Sequence, residues 1–144
     1  MTDLPGVILA GGLSRRMGGG DKGLINLGNK TILARVIDKI EPQVSALAIN
    51  INGDHSRFPK YPYSLIADSI DGFVGPLAGV LAGMDWAFKN NYEAIITLAA
   101  DTPFLPEDLV ERLAAFAERE NIDDDLEDIK FKNLSSLVDK PLIN

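Results

Sequence analysis

Cysteine is absent from the 144 residues, and histidine occurs once. With no thiol, the chain has no disulfide, no thiolate metal site and no cysteine nucleophile. The single histidine, His55, lies among Asp54, Ser56 and Arg57 in a predicted loop and reads as exposed rather than catalytic. No apolar run approaches the roughly 20 residues that a membrane span needs, and no leader of charged, apolar and small residues opens the chain. No membrane partner and a cytoplasmic location are therefore expected. Positive charge is also scarce: the net charge is −7. It is uneven, with −3 over residues 1–117, −6 over 118–128 and +2 over 129–144. An acidic chain makes a poor non-specific nucleic-acid binder.

Against that background the first loop stands out. The apolar run Val7–Ala10 stops at Gly11 and Gly12, and the residues that follow include Gly18, Gly19 and Gly20 with Arg15, Arg16 and Lys22. The run reads as a buried strand. Glycine lets backbone approach a ligand closely, and amide donors with fixed cations favour anionic oxygen. A polyphosphate suits such a loop. It is not a P-loop, because Lys22 is preceded by Asp21 and followed by Gly23. Gly18, Gly20 and Gly23 match the dinucleotide spacing, but they lie too far beyond the strand end near Ala10 to make the tight strand-to-helix turn that motif requires.

Strand and helix patterns then alternate. Thr31 is a predicted N-cap for a helix with Ile32, Leu33, Val36, Ile37 and Ile40 on one face, stopped by Pro42. Residues 46–51 read as a second strand and 63–67 as a third, with Pro59 and Pro62 marking the loop between. Gly75-Pro76 opens a helix through Leu77, Val80, Leu81, Met84 and Phe88, on which Trp86 and Phe88 read as core. Residues 94–100 form an apolar strand of the kind covered on both faces, and Pro106-Glu107-Asp108 opens a last helix, with acidic residues at its start. The alternation predicts an α/β fold: a three-layer, Rossmann-like sandwich with a mainly parallel sheet, in a single domain over residues 1–144.

In open sheets of this kind ligands bind beyond the carboxyl ends of the strands. The glycine loop, Asn50 and Asn52, Asp68 and Asp101 all fall there. Each alone could be a turn or cap residue, and for Asn52-Gly53 that reading is as good as the other. Asp101 follows residues 94–100, all apolar but Thr97, and precedes Thr102-Pro103. A carboxylate there can hold Mg²⁺, which takes oxygen ligands and bridges phosphates. Lys22 supplies a point charge for phosphate oxygens.

Leu9-Ala-Gly-Gly-Leu-Ser-Arg-Arg-Met-Gly18, followed by Asp21-Lys22-Gly23, resembles the signature of nucleotidyltransferases, and within them is most similar to the molybdenum cofactor guanylyltransferases. The resemblance continues, in order, at Asn50-Ile51-Asn52, Asp68-Ser69, Gly75-Pro76-Leu77-Ala78-Gly79 and residues 101–109, and covers about residues 5–117. It implies the nucleotide-diphospho-sugar transferase fold and transfer of GMP from MgGTP to the phosphate of molybdopterin or its molybdenum form. Leu9, Ala10, Gly11, Gly12, Arg16, Lys22, Asn50, Asp68 and Asp101 would bind GTP, Lys22 and Asp101 being catalytic and Asp101 the Mg²⁺ ligand. Asp68 would meet guanine or ribose, with Asp71 a rival. The implied partners are the two substrates, other molybdenum cofactor biosynthesis proteins and recipient molybdoenzymes, and a monomer is expected. The alternatives are a cytidylyl- or sugar-phosphate nucleotidyltransferase and a nucleotide-binding module without activity; Gly11 speaks against the cytidylyl relatives, whose loop more often resembles Leu-Ala-Ala-Gly. Beyond residue 117 the resemblance fails. Residues 118–144 are expected to be poorly ordered or part of an incomplete C-terminal lobe, leaving residues 1–117 as the nucleotide-binding half.

Overall fold

The computed structural model of the chain describes residues 3–10, 24–52, 58–68 and 76–120. Four short strands, β1 (Gly6–Leu9), β4 (Leu47–Asn50), β5 (Ser64–Ile66) and β6 (Ile96–Ala99), make one sheet in the order β5-β4-β1-β6. Every pairing in it is parallel. Chain order runs outward from β1 first to one side and then to the other, so β1 and β6 flank the switch point of a doubly wound sheet.

The alternation of side chains along a strand decides the layers. Ile8, Ile49 and Leu98 stand in register and share one core cluster with Leu33, Val36, Ile37 and Ile40 of α1 (Ile32–Ile40) and with Leu109, Val110 and Leu113 of α3 (Leu109–Glu120). Val7 and Ala48, one residue earlier, point the other way and pack with Ala87 of α2 (Pro76–Lys89) and with Ile95. Two helices on one face and one on the other give the three-layer sandwich expected from the sequence. β4, β5 and β6 are shorter by one or two residues at their ends than the apolar runs suggest, and β1 begins and ends one residue earlier than its run.

The Thr31 cap forms as expected: its Oγ1 accepts from the Ala34 amide at 3.1 Å. Pro42 sits in a 3-10 turn, Glu41–Gln43, directly after α1. Before α1 a hairpin has formed that the periodicity did not indicate, β2 (Asn26–Leu27) against β3 (Lys30–Thr31). Gly28 opens its two-residue turn with φ 74°, as a type II′ turn requires. Arg35 of α1 holds it, donating from Nε to the Leu27 carbonyl at 2.7 Å. The last helix begins at Leu109, three residues after Pro106, and continues through Glu120, past the boundary expected at residue 117.

α2 corrects the sequence reading. Phe88, read as core, is 78% exposed, and Leu77 of the same apolar pattern is 48% exposed; Trp86, also read as core, is half-buried and stacks on Tyr92. The face turned to the sheet carries small residues instead: Ala78, Ala82 and Ala87 are buried. A Cβ on Gly83 would lie 3.0 Å from Val7 Cγ2. The helix therefore lies too close to β1 for large side chains, and they are displaced to its flanks and outer surface.

Candidate functional site

Ile66, Asn50, Leu9 and Ala99 form one row across the four strands. Asp68, Asn52 and Asp101 each lie two residues past that row, and the end of β1 at Ala10 lies between the strand that leads to Asn52 and the strand that leads to Asp101. Strand spacing is about 4.8 Å, so β5 and β6, after which Asp68 and Asp101 follow, are three spacings, about 14 Å, apart in the sheet. Carboxylates that follow opposite edge strands of the sheet are poorly placed to share one ion. They can address two ends of one elongated ligand.

At the Asp68 end the side chains interlock. Asn50 is 2% exposed, and a buried amide requires partners. Its Nδ2 donates to the Ile66 carbonyl at 3.2 Å and to Asp68 Oδ1 at 2.9 Å. Asn52 grips the same residue twice. Its Nδ2 donates to Asp68 Oδ2 at 2.9 Å, and its Oδ1 accepts from the Asp68 amide at 2.9 Å. Each carboxylate oxygen thus takes one amide donor and keeps acceptor capacity for a ligand. Gly79 of α2 makes room for this arrangement: a Cβ there would stand 2.6 Å from Asn50 Oδ1 and 3.0 Å from Leu9 Cδ2. Ala10 ties the rim of β1 to that of β4, its amide donating to the Asn50 carbonyl at 2.9 Å.

At the other end Asp101 is exposed, one residue past the buried Ala100. None of the described residues holds its carboxylate in a hydrogen bond or ion pair. No group of three or more acidic, histidine or cysteine side chains among the described residues could cage a metal. A single carboxylate at an open rim fits Mg²⁺, which keeps several waters and is bound through one or two carboxylates plus substrate phosphates. It does not fit an ion that demands an all-protein cage.

The model of the MobA-like NTP transferase domain matches residues 6–125. The chain belongs to that family. As a MobA-like protein it is 50% identical over 116 residues to a molybdenum cofactor guanylyltransferase of Mesorhizobium japonicum, covering 80% of this chain and 56% of the relative. It is 55% identical over 111 residues to a molybdenum cofactor guanylyltransferase of Rhodopseudomonas palustris (strain BisB5), covering 76% of this chain and 53% of the relative. Among solved structures, molybdopterin-guanine dinucleotide biosynthesis protein A from Archaeoglobus fulgidus superposes with a TM-score of 0.58 at 26% identity, over 81% of this chain and 56% of that one. The chain spans little more than half the length of these relatives.

Of the candidate residues in this MobA-like domain, Asn50 and Asp68 are in direct contact, Leu9 and Ala10 border them, and Asp101 lies at the opposite end of the rim. Gly11, Gly12, Arg15, Arg16, Lys22, His55 and Asp71 lie outside the described residues, as do residues 121–144. Asn52, as readily a turn residue from sequence, is a full member of the Asp68 cluster. Gly79 was visible only as part of a motif, and its steric role needs the fold. No helix among the described residues is long and apolar enough to cross a membrane.

Proposed function

We propose that this chain binds MgGTP along the rim of its sheet and supports transfer of GMP to the phosphate of molybdopterin or its molybdenum form, with pyrophosphate as the second product. The observation that carries the reading is that the hydrogen-bonded Asn50–Asn52–Asp68 cluster and Asp101 lie toward opposite ends of one rim, with the end of β1 between them. The names of the relatives support the choice of GTP and molybdopterin as substrates.

Asp68 takes the nucleoside end. A carboxylate only accepts hydrogen bonds, which suits the N1–H and 2-amino group of guanine or the ribose hydroxyls. Lys22, Arg16 and the amides of Gly11 and Gly12 take the triphosphate. Asp101 would hold the Mg²⁺, which when bound supplies positive charge where charge develops on the α-phosphate and the departing pyrophosphate. An oxygen of the acceptor phosphate forms the new bond to the α-phosphorus as the bond to the bridging oxygen of the β-phosphate breaks, and pyrophosphate leaves with that electron pair. The acceptor is already anionic, so no general base and no covalent intermediate are required. The protein's contribution is positioning and charge neutralisation.

Asp101→Asn tests the reading. Pyrophosphate release with a molybdopterin acceptor should slow by more than GTP affinity falls, because the carboxylate's task lies in the transition state. Unchanged turnover and an unchanged magnesium titration would reduce Asp101 to a turn residue. GTP binding with no transfer under any condition would instead favour a nucleotide-binding module without activity.

A further inference from the structure

We infer that Gln43, remote from the rim in sequence and in its own contacts, is a positioning residue for Asp101. The inference rests on the reading of Asp101 as the metal-holding carboxylate. The segment from Ala100 to Asp108 carries Asp101 and has no regular structure. One of its ends is fixed by β6, where Ala99 pairs with Leu9 of β1. Its other end is fixed from outside, by the side chain of Gln43. The Nε2 of Gln43 donates to the Pro106 carbonyl at 3.0 Å and to the Lys39 carbonyl at 2.8 Å, while its Oε1 accepts from the Val110 amide at 2.9 Å.

Two of those three partners, the Val110 amide and the Lys39 carbonyl, are backbone groups that local structure leaves without an obvious mate, while the Pro106 carbonyl also accepts from the Leu109 amide at 3.3 Å. The first amides of a helix and its last carbonyls have no intrahelical partners. The Val110 amide lies in the first turn of α3 and the Lys39 carbonyl in the last turn of α1. Asp108, the residue in cap position before α3, turns its carboxylate to Arg112 Nε at 3.1 Å. One amide side chain therefore caps the start of α3, closes the end of α1 and anchors the end of the Asp101 segment. Lys39 and Glu107 add an exposed ion pair at 3.4 Å across the same junction, of the kind worth little by itself. Leu105 packs against the core between these fixed points. The path of the backbone from Ala99 to Leu109 is thus held at both ends and in the middle, and Asp101 has its place on the rim because of it.

The test uses two variants. Gln43→Met keeps the length of the side chain and removes all three hydrogen bonds. Gln43→Glu keeps an acceptor for the Val110 amide and loses both donors. In the nucleotide-free chain, Gln43→Met should speed amide hydrogen exchange at Val110 and through residues 102–109, and Gln43→Glu should do so less at Val110. In calorimetric titrations of GTP at graded magnesium, Gln43→Met should raise the magnesium concentration needed for half-maximal binding by about tenfold, well inside the hundredfold that a misplacement of about 1 Å can cost. The same substitution placed on top of Asp101→Asn should produce no further rise. A purely structural role would instead add its effect in both backgrounds. If Asp101→Asn shifts the magnesium dependence and Gln43→Met does not, or if the two shifts add, the positioning role is wrong and the metal reading stands. If Asp101→Asn leaves the magnesium dependence unchanged, the metal reading falls and takes this inference with it.

Discussion

Gly79 offers the sharpest test of how α2 supports the site, because Gly83 one turn away serves as its control. A methyl group at Gly79 would lie 2.6 Å from Asn50 Oδ1, closer than non-bonded atoms can stand, so Asn50 has to move. Asn50 is 2% exposed and hydrogen-bonded to both Ile66 and Asp68, which leaves it no free direction. Losing a bond to a charged acceptor costs about 1.5–3 kcal/mol. Asp68 is partly solvated, so the lower figure applies, about tenfold in GTP affinity. A methyl group at Gly83 would meet Val7 at 3.0 and 3.1 Å and Ile95 at 3.3 Å, all apolar atoms. That is overpacking, at about 1–3 kcal/mol of stability, offset by about 1 kcal/mol from the better helix propensity of alanine. Denaturant unfolding and GTP calorimetry on both variants read the two effects separately. Gly79→Ala should lose GTP affinity by about tenfold while staying folded, and Gly83→Ala should keep parental affinity. A folded Gly79→Ala with parental affinity, or equal losses in both variants, would refute the coupling of α2 to Asp68 through Asn50.

Lys22→Ala should leave the unfolding transition in place and weaken GTP binding by the roughly 1.5–3 kcal/mol of a charge-assisted bond, while leaving guanosine binding unaffected; a variant with parental GTP affinity removes Lys22 from the phosphate site. Tyr63 gives a pH prediction away from the site. Burial of its ring, together with the Glu41 carboxylate to which its hydroxyl donates at 2.8 Å, pushes its ionisation from 10.0 up to about 12. The folded state therefore holds this proton more tightly than the unfolded chain, so the contribution is complete below pH 10 and is lost as pH rises to about 12. Tyr63→Phe should flatten the loss of stability over that interval in alkaline unfolding curves, and an identical slope in both proteins contradicts the assignment.

What could be read from the sequence was what is decided locally. The run Val7–Ala10 is apolar because both faces of β1 are covered, and Thr31 caps α1 through an amide three residues away. The alternation of such segments carries the three-layer fold, and strand ends mark the rim on which Asn50, Asp68 and Asp101 lie. The buried face of α2 was not legible, because close approach to β1 selects alanine and glycine, and the larger Leu77 and Phe88 mimic a core stripe while facing solvent. The roles of Asn52 and Gln43 were not legible either. Asn52 bonds a residue 16 positions later, and Gln43 caps a helix 67 positions later; no local pattern encodes either partner.

The central claim is that the rim holds a guanine nucleotide, nucleoside toward Asp68 and phosphates toward Asp101. Calorimetric titration of the chain with GTP, CTP and ATP in the presence of Mg²⁺ tests it most directly. A site that hydrogen-bonds a base edge leaves buried polar groups unpaired with the wrong base, so GTP should bind more tightly than CTP and ATP by at least about tenfold. Asp68→Ala should narrow that preference if the carboxylate meets guanine, or lower all three affinities together if it meets the ribose. CTP binding as tightly as GTP to the unmutated chain would contradict the guanylyl assignment.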